Sequence, residues 1–63
     1  MPFAENLRKL REEKGLTQGQ LAKEIGVKQP MVAQYERYMK VPTIITGVEI
    51  AKALGTTCEE LVK

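Results

Sequence analysis

The sequence predicts an all-α fold, a single compact domain of five short helices over residues 1–63. Two observations predict it. β-Branched residues never alternate with polar residues over a strand-length stretch, so no segment is typical of a strand. Gly15, Gly26 and Gly55 each follow an amphipathic pattern, at a point where a residue with positive φ can end a helix. Because so short a chain buries only about 60% of its unfolded surface, we expect a marginal core.

The first two helices are indicated by apolar spacing and by a capping signal. Apolar residues at helical intervals predict a first helix over about residues 3–14, and Pro2 suits its start. The second helix begins after Thr17, which can form a capping box with Gln20 three residues later, and it ends at Gly26. The predicted inward-facing residues are Phe3, Leu7, Leu10, Leu21, Ala22 and Ile25.

Three further helices follow. The third is predicted over about residues 28–36. The fourth follows Pro42 with Thr43 as its N-cap, and the fifth starts at Thr57 with a second capping box through Glu60. The predicted inward-facing residues are Val32 and Tyr35 in the third helix, Ile44, Val48, Ile50, Ala51 and Leu54 in the fourth, and Leu61 in the fifth.

The composition excludes most catalytic chemistry. The chain has no His, Asp or Ser and a single Cys. Neither a Ser-His-Asp nor a Cys-His arrangement can be built from it, and no His/Cys/Asp cluster is available for a catalytic metal. We therefore expect no enzyme, no cofactor and no metal site. The lone Cys58 and the absence of a membrane-length apolar run predict a cytoplasmic protein with no membrane association.

The charges nearly balance, with a net charge of +2. Residues 1–16 carry +1, residues 17–43 carry +2 and residues 44–63 carry −1. Any contact with nucleic acid must therefore depend on where the basic residues lie. Because the chain lacks His, no side chain of ordinary pKa titrates between about pH 6 and 8, and we expect no sharp pH switch there.

The most informative segment runs from Thr17 to Tyr35. Ala22 is small where the second helix would meet the third, Gly26 can redirect the chain four residues later, and Val32 supplies a branched apolar plug six residues after that. This spacing, between two helices of suitable length, is typical of a DNA-binding helix-turn-helix.

The third helix carries polar side chains on the side opposite its apolar residues. Gln can pair in bidentate fashion with adenine, an Ala methyl can contact the thymine methyl, and Lys28 can reach guanine or a phosphate. On an isolated helix, the same side chains would be interpreted as ordinary solvated surface. Within this motif, the interpretation that they contact DNA is favoured. The side chains expected on this side are Gln29, Pro30, Ala33, Gln34 and Arg37.

Over about residues 5–61 the chain resembles the Cro and phage-repressor family, the lambda-repressor-like (XRE) helix-turn-helix group. The resemblance is carried by LREEKGLTQ, LAKEIGV, the pair Tyr35-Glu36, Pro42 and IAKALG. It implies a five-helix lambda-repressor-like bundle whose third helix enters the major groove of double-stranded DNA.

The resemblance also implies roles for individual residues. Gln18 matches a phosphate-contacting Gln that also braces the first Gln of the recognition helix. Arg11 and Glu36 match a largely buried ion pair. The positions that match base-contacting residues are Lys28, Gln29, Ala33 and Gln34. Those that match phosphate-contacting residues are Gln18, Arg37, Lys40 and Thr43.

Four positions depart from the family pattern. Tyr38 stands where Gly is usual, and since a left-handed Tyr would be strained, we expect the loop 37–42 to be rearranged. Lys28 replaces a capping Ser or Thr. Gly47 replaces an apolar core residue, and Ile45 replaces a polar one. Either the fourth helix is rotated or kinked, or Ile45 faces a partner.

The leading hypothesis is a sequence-specific transcriptional regulator, a repressor that binds an inverted-repeat operator as a homodimer. The expected dimer interface is Tyr38, Met39, Val41 and Ile45, although some of these residues could instead complete the core. The alternative is a protein-interaction module that keeps the fold but reads no DNA, such as an antitoxin or an anti-repressor.

Overall fold

The computed structural model describes residues 3–63. They form five α-helices and, within that range, no strand, which confirms the predicted all-α class. Pro2, expected at the helix start, lies outside the described residues. None of the helices within residues 3–63 has the length and apolarity needed to cross a membrane. The helices are α1 (Phe3–Glu13), α2 (Gln18–Ile25), α3 (Gln29–Glu36), α4 (Ile44–Leu54) and α5 (Cys58–Val62).

Each helix contributes one fully buried apolar side chain to a common core. Helix α2 packs against α3 and α4, while α1 packs against α3 and α5, and α4 against α5. The central residues, one from each helix in chain order, are Leu7, Leu21, Val32, Ile50 and Leu61. The inward-facing residues predicted for α2 and α3 are all buried, and in α1 only Leu10 lies at the half-buried edge of the core.

Four helix ends share one type of chain reversal. Gly15, Gly26, Gly55 and Tyr38 all have φ between 63° and 75°. In each case the next residue's N–H donates to a carbonyl five positions back, as in a Schellman motif. These hydrogen bonds are Leu16 to Arg11 (3.1 Å), Val27 to Ala22 (2.9 Å), Met39 to Gln34 (3.0 Å) and Thr56 to Ala51 (2.9 Å).

The expectation that Tyr38 would force a different turn after α3 is wrong. Tyr38 takes the left-handed conformation with φ of 63°, at a cost of about 1–2 kcal/mol for a residue with a Cβ. Its hydroxyl donates a 2.6 Å hydrogen bond to Oε1 of Glu5 on α1. This bond ties the strained residue to the first helix.

Three helices begin with the predicted threonine caps. The hydroxyls of Thr17, Thr43 and Thr57 each accept from the backbone N–H three residues later. The side-chain oxygen of Gln20 accepts a hydrogen bond from the backbone N–H of Thr17, which completes that capping box. The second predicted box is wrong in one half, because the Glu60 carboxylate accepts from Lys63 instead of from the cap residue.

The prediction that Ile44 and Val48 face the core is also wrong. Their side chains are 86% and 38% exposed. Helix α4 runs unbroken through Gly47, but its buried residues all lie in its second half. Apolar periodicity correctly predicted burial in the second half of α4. The other helices do not cover its first turn. The buried residues of α4 are Ile50, Ala51 and Leu54.

Candidate nucleic-acid interface

The turn between α2 and α3 has the geometry that the motif predicts. Gly26 closes α2 with φ of 75°, and the chain then turns through Val27 into α3. Ala22 is 2% exposed and Val32 is fully buried, so the small residue of α2 and the branched residue of α3 meet inside the bundle. Two short helices are thereby held in close contact, with the outer side of α3 left uncovered.

The outer side of α3 presents polar side chains that have no hydrogen-bond partner among residues 3–63. Lys28, Gln29 and Arg37 are exposed, whereas Ala33 and Gln34 are half-buried against the helix. Within residues 3–63, none of their side chains takes part in a hydrogen bond. Lys28 is the N-cap residue and makes no side-chain cap bond. Their donors and acceptors are therefore available to an external ligand.

A partly buried polar network fixes α3 to α1 and to the start of α2. Arg11 Nε donates to Oε2 of Glu36 at 2.7 Å, and Arg11 Nη2 donates to Oε1 at 3.2 Å. The two side chains are only 11% and 4% exposed. Arg11 Nη1 also donates to the Leu16 carbonyl at 2.7 Å, and Gln18 Nε2 donates to Glu36 Oε1 at 3.1 Å. The hydrogen bond to Glu36 raises the pKa of the Arg11 guanidinium above its ordinary value.

Gln18 does not brace Gln29 as the resemblance implies, since its amide is directed to Glu36. The side chain of Gln29 lies instead against Gly19, in the first turn of α2. A Cβ at Gly19 would come within 3.3 Å of the Gln29 Oε1 atom. Gly19 was not among the predicted site residues. A Gly inside a helix destabilises that helix by roughly 0.5–1 kcal/mol, and this cost is a signal that the position has a structural role.

The electrostatics of this surface favour an anionic ligand. The first turns of α2 and α3 contain no acidic residue of their own, which favours binding of an anion at their free backbone N–H groups. Glu36 is neutralised by Arg11, while Arg37 and Lys40 are exposed. The Thr43 hydroxyl is already used to cap α4. Within residues 3–63, no group of three or more Cys or Glu side chains lies close enough together to bind a metal ion.

The residues expected at a dimer interface all lie on the surface. Tyr38, Met39, Val41 and Ile45 are 59% to 78% exposed, so none of them completes the core of the chain. Three further apolar residues are also exposed, namely Ile44 and Val48, which were predicted to face the core, and Val62. We refer to one group as the apolar face, which consists of Val41, Ile44, Ile45, Val48 and Val62.

Comparisons with known proteins agree on one family. Residues 7–61 match the family described as helix-turn-helix. An uncharacterized HTH-type transcriptional regulator, y4dJ of Sinorhizobium fredii, is 44% identical over 57 residues, which are 90% of this chain and 74% of that protein.

Two solved structures superpose closely. The restriction-modification controller protein C.AhdI from Aeromonas hydrophila has a TM-score of 0.89 and 34% identity, over 94% of this chain and 89% of that one. The DNA-binding domain of the P22 c2 repressor has a TM-score of 0.93 and 28% identity, over 97% and 80% of the two chains.

Proposed function

The chain belongs to the helix-turn-helix family of Cro/C1-type DNA-binding transcriptional regulators, and from that premise we propose that it is a repressor which binds an inverted-repeat operator as a homodimer. The family and the similar structures are DNA-binding regulators and not enzymes. The observation that carries the proposal is the outer side of α3, whose polar side chains make no hydrogen bond to the described part of the chain and are flanked by exposed basic residues. In this proposal residues 1–63 form one domain, and the protein is cytoplasmic.

In this proposal α3 enters the major groove. Gln29 and Gln34 pair with adenine edges, Lys28 reaches a guanine or a phosphate, and the Ala33 methyl contacts a thymine methyl. Gln18 and the free N–H groups at the start of α2 bind one phosphate. The remaining phosphate contacts come from Arg37, Lys40 and the cap region at Thr43.

The modest charge of the chain favours a dimer. A net charge of +2 neutralises few phosphates, so a single copy would bind weakly. Two copies double the contacts and read half-sites about 34 Å apart, one turn of the duplex. The exposed residues Tyr38, Met39, Val41 and Ile45 supply part of the interface. Similarity to the P22 c2 repressor supports the repressor role.

Selection from random duplexes, followed by mobility-shift titration, tests this function. Gln29→Ala and Gln34→Ala should each relax preference at one base pair per half-site, at a cost of about 1–3 kcal/mol. The control is Lys40→Ala, which should weaken all sequences equally and lower the salt slope by about 1. If folded protein enriches no sequence at low salt, the proposal is wrong.

A protein-interaction module, such as an antitoxin or an anti-repressor, is the second candidate. The exposed apolar face is the observation that favours it. The two readings predict opposite mutational results. If Gln29→Ala and Gln34→Ala leave the regulatory activity intact while Ile45→Glu abolishes it, the chain is a protein-interaction module and does not read DNA.

A further inference from the structure

Two of the five glycines lie inside helices, where glycine is disfavoured relative to alanine because it loses more backbone freedom on folding. Their surroundings differ. Among residues 3–63, and apart from its chain neighbours and helix backbone, no atom lies within 4 Å of the Cβ position at Gly47 in α4. At Gly19, in the first turn of α2, the Cβ position is 3.3 Å from Oε1 and 3.7 Å from Cδ of Gln29. The side chain of the first residue of α3 therefore rests where Gly19 has no side chain.

The Gln29 carboxamide lies with its oxygen toward α2. Its Oε1 and Cδ atoms are the two nearest to the Cβ position of Gly19, and Nε2 is no closer than the Thr17 hydroxyl oxygen at 3.9 Å. The start of a helix carries a partial positive charge from its free backbone N–H groups, which favours an oxygen there. Because this oxygen has a second lone pair and the NH2 group takes no part in the contact, both remain available to an adenine edge.

No hydrogen bond within residues 3–63 holds the Gln29 side chain. The Gln18 amide, which the family resemblance implied as its brace, donates to Glu36 at 3.1 Å. The backbone of α3 is fixed by its buried residues, but an exposed glutamine keeps several rotatable bonds and loses that freedom when it binds. Contact with Gly19 restricts those bonds in the absence of DNA, so that less freedom is lost on binding.

We infer that Gly19 is a positioning residue for base recognition, which seats the Gln29 side chain and so fixes the geometry with which α3 reads one base pair. The inference rests on the proposed function and deepens it. A bidentate contact with a base requires both donor–acceptor distances to fall within about 2.7–3.2 Å. A methyl group at position 19 would lie 3.3 Å from Oε1, which is tight enough to displace the carboxamide by a few tenths of an ångström. A shift of that size consumes much of the permitted range.

Gly19→Ala tests the inference, because it removes the room for Gln29 while it improves the helix. Alanine is the better helix former, so the thermal midpoint should rise by about 2–8 °C. Selection from random duplexes, with the wild type and with Gln29→Ala, first identifies the base pair whose preference depends on Gln29. At that base pair Gly19→Ala should reduce the preference about fivefold or more, without a matching loss of affinity for a duplex that lacks the operator. The expected result is a more stable protein that discriminates less well.

Gly47→Ala is the matched control. It makes the same exchange inside a helix but meets no neighbouring side chain, so it should stabilise the fold similarly and leave the base preference unchanged. A double variant that combines Gly19→Ala with Gln29→Ala completes a double-mutant cycle. If Gly19 acts through Gln29, the first substitution should change the preference no further in the absence of the Gln29 side chain.

A measurement without DNA tests the contact separately from the function that it serves. In NMR spectra of the wild-type protein, nuclear Overhauser effects should connect the Hα protons of Gly19 with the side chain of Gln29. Their absence would overturn the inference whatever the protein binds, because the side chain would then not rest on α2.

The results separate this inference from the proposed function. If Gln29→Ala relaxes one base pair but Gly19→Ala does not, the DNA function stands and Gly19 is not a positioning residue. If Gly19→Ala weakens binding to all duplexes equally, and does so in the Gln29→Ala background as well, the methyl group acts on phosphate contacts and the inference is also wrong. If folded wild-type protein enriches no sequence, the proposed function fails, and the role assigned to Gly19 fails with it.

Discussion

Residues 17–36 and residues 38–48 differ in how completely their polar and apolar groups find partners within the chain. In the first region the Thr17 cap, the Glu36 carboxylate and the buried apolar side chains of α2 and α3 find partners within the bundle. In the second region a strained Tyr38 is followed by large apolar side chains in solvent. The buried apolar side chains of the first region are therefore covered within one chain, whereas the large apolar side chains of the second region are left exposed.

The largest predicted effect concerns the buried ion pair of the first region. Arg11→Ala leaves the Glu36 carboxylate buried and without its cation, which should cost about 3–5 kcal/mol of unfolding free energy. A domain of this size has roughly 3–9 kcal/mol in total. Urea unfolding followed by circular dichroism should therefore show a midpoint at a much lower urea concentration than that of the wild type, because the loss is a large fraction of the total.

The matched control is Arg8→Ala. Arg8 pairs with Glu12 on the same helix, but the two side chains are 66% and 56% exposed. Removal of such a surface pair should cost about 0.5 kcal/mol or less. Equal losses in the two variants would show that burial of the Arg11–Glu36 pair adds nothing.

A smaller effect is expected at the start of α3, where the N-cap residue makes no side-chain hydrogen bond to the helix. Lys28→Ser gives α3 a side-chain cap that it lacks and should raise the unfolding free energy by about 1 kcal/mol. The same variant should bind DNA more weakly because it loses a positive charge. Thermal unfolding and mobility-shift titration measure the two effects.

Lys28→Ala separates capping from charge. It removes the same charge without adding a cap, so it should weaken DNA binding but not stabilise the fold. If Lys28→Ala stabilises the chain as much as Lys28→Ser does, the capping explanation fails.

The smallest effect belongs to the second region and appears only at high pH. The hydrogen bond to Glu5, together with burial and the nearby carboxylate, raises the pKa of the Tyr38 phenol. A raised pKa means that the stabilising bond is fully present below the ordinary tyrosine value of about 10 and is lost as the pH rises through the folded value. Tyr38→Phe should therefore lose less stability than the wild type as the pH rises above about 10.

The thermal midpoint, measured across this pH range, checks the prediction. Burial also raises the pKa of Tyr35, but that group is present in both proteins and its contribution cancels. The same decline in both proteins would mean that the bond between Tyr38 and Glu5 does not form in solution.

Local signals predicted most of the fold because they act within a few residues. The capping box at Thr17 and the left-handed glycines depend on backbone geometry close to them in the chain, and each lies where it was expected. Apolar spacing also placed Leu21 and Val32 correctly, because α2 and α3 are covered along their whole inner sides.

The errors occur where the outcome depends on distant residues. Ile44 has the same helical phase as Ala51, and only the positions of the neighbouring helices leave one exposed and the other buried. The left-handed Tyr38 is held by Glu5, thirty-three residues away. The Gln18 amide binds Glu36 because α3 brings that carboxylate to it.

The sequence by itself determined the helix-turn-helix and the exposed polar side of α3, because helix caps, glycine turns and apolar period are properties of short segments. Only the tertiary structure decided which apolar residues find cover, since burial depends on how the helices assemble. The bundle is complete around Leu7, Leu21, Val32, Ile50 and Leu61, and it leaves the first turn of α4 outside that core.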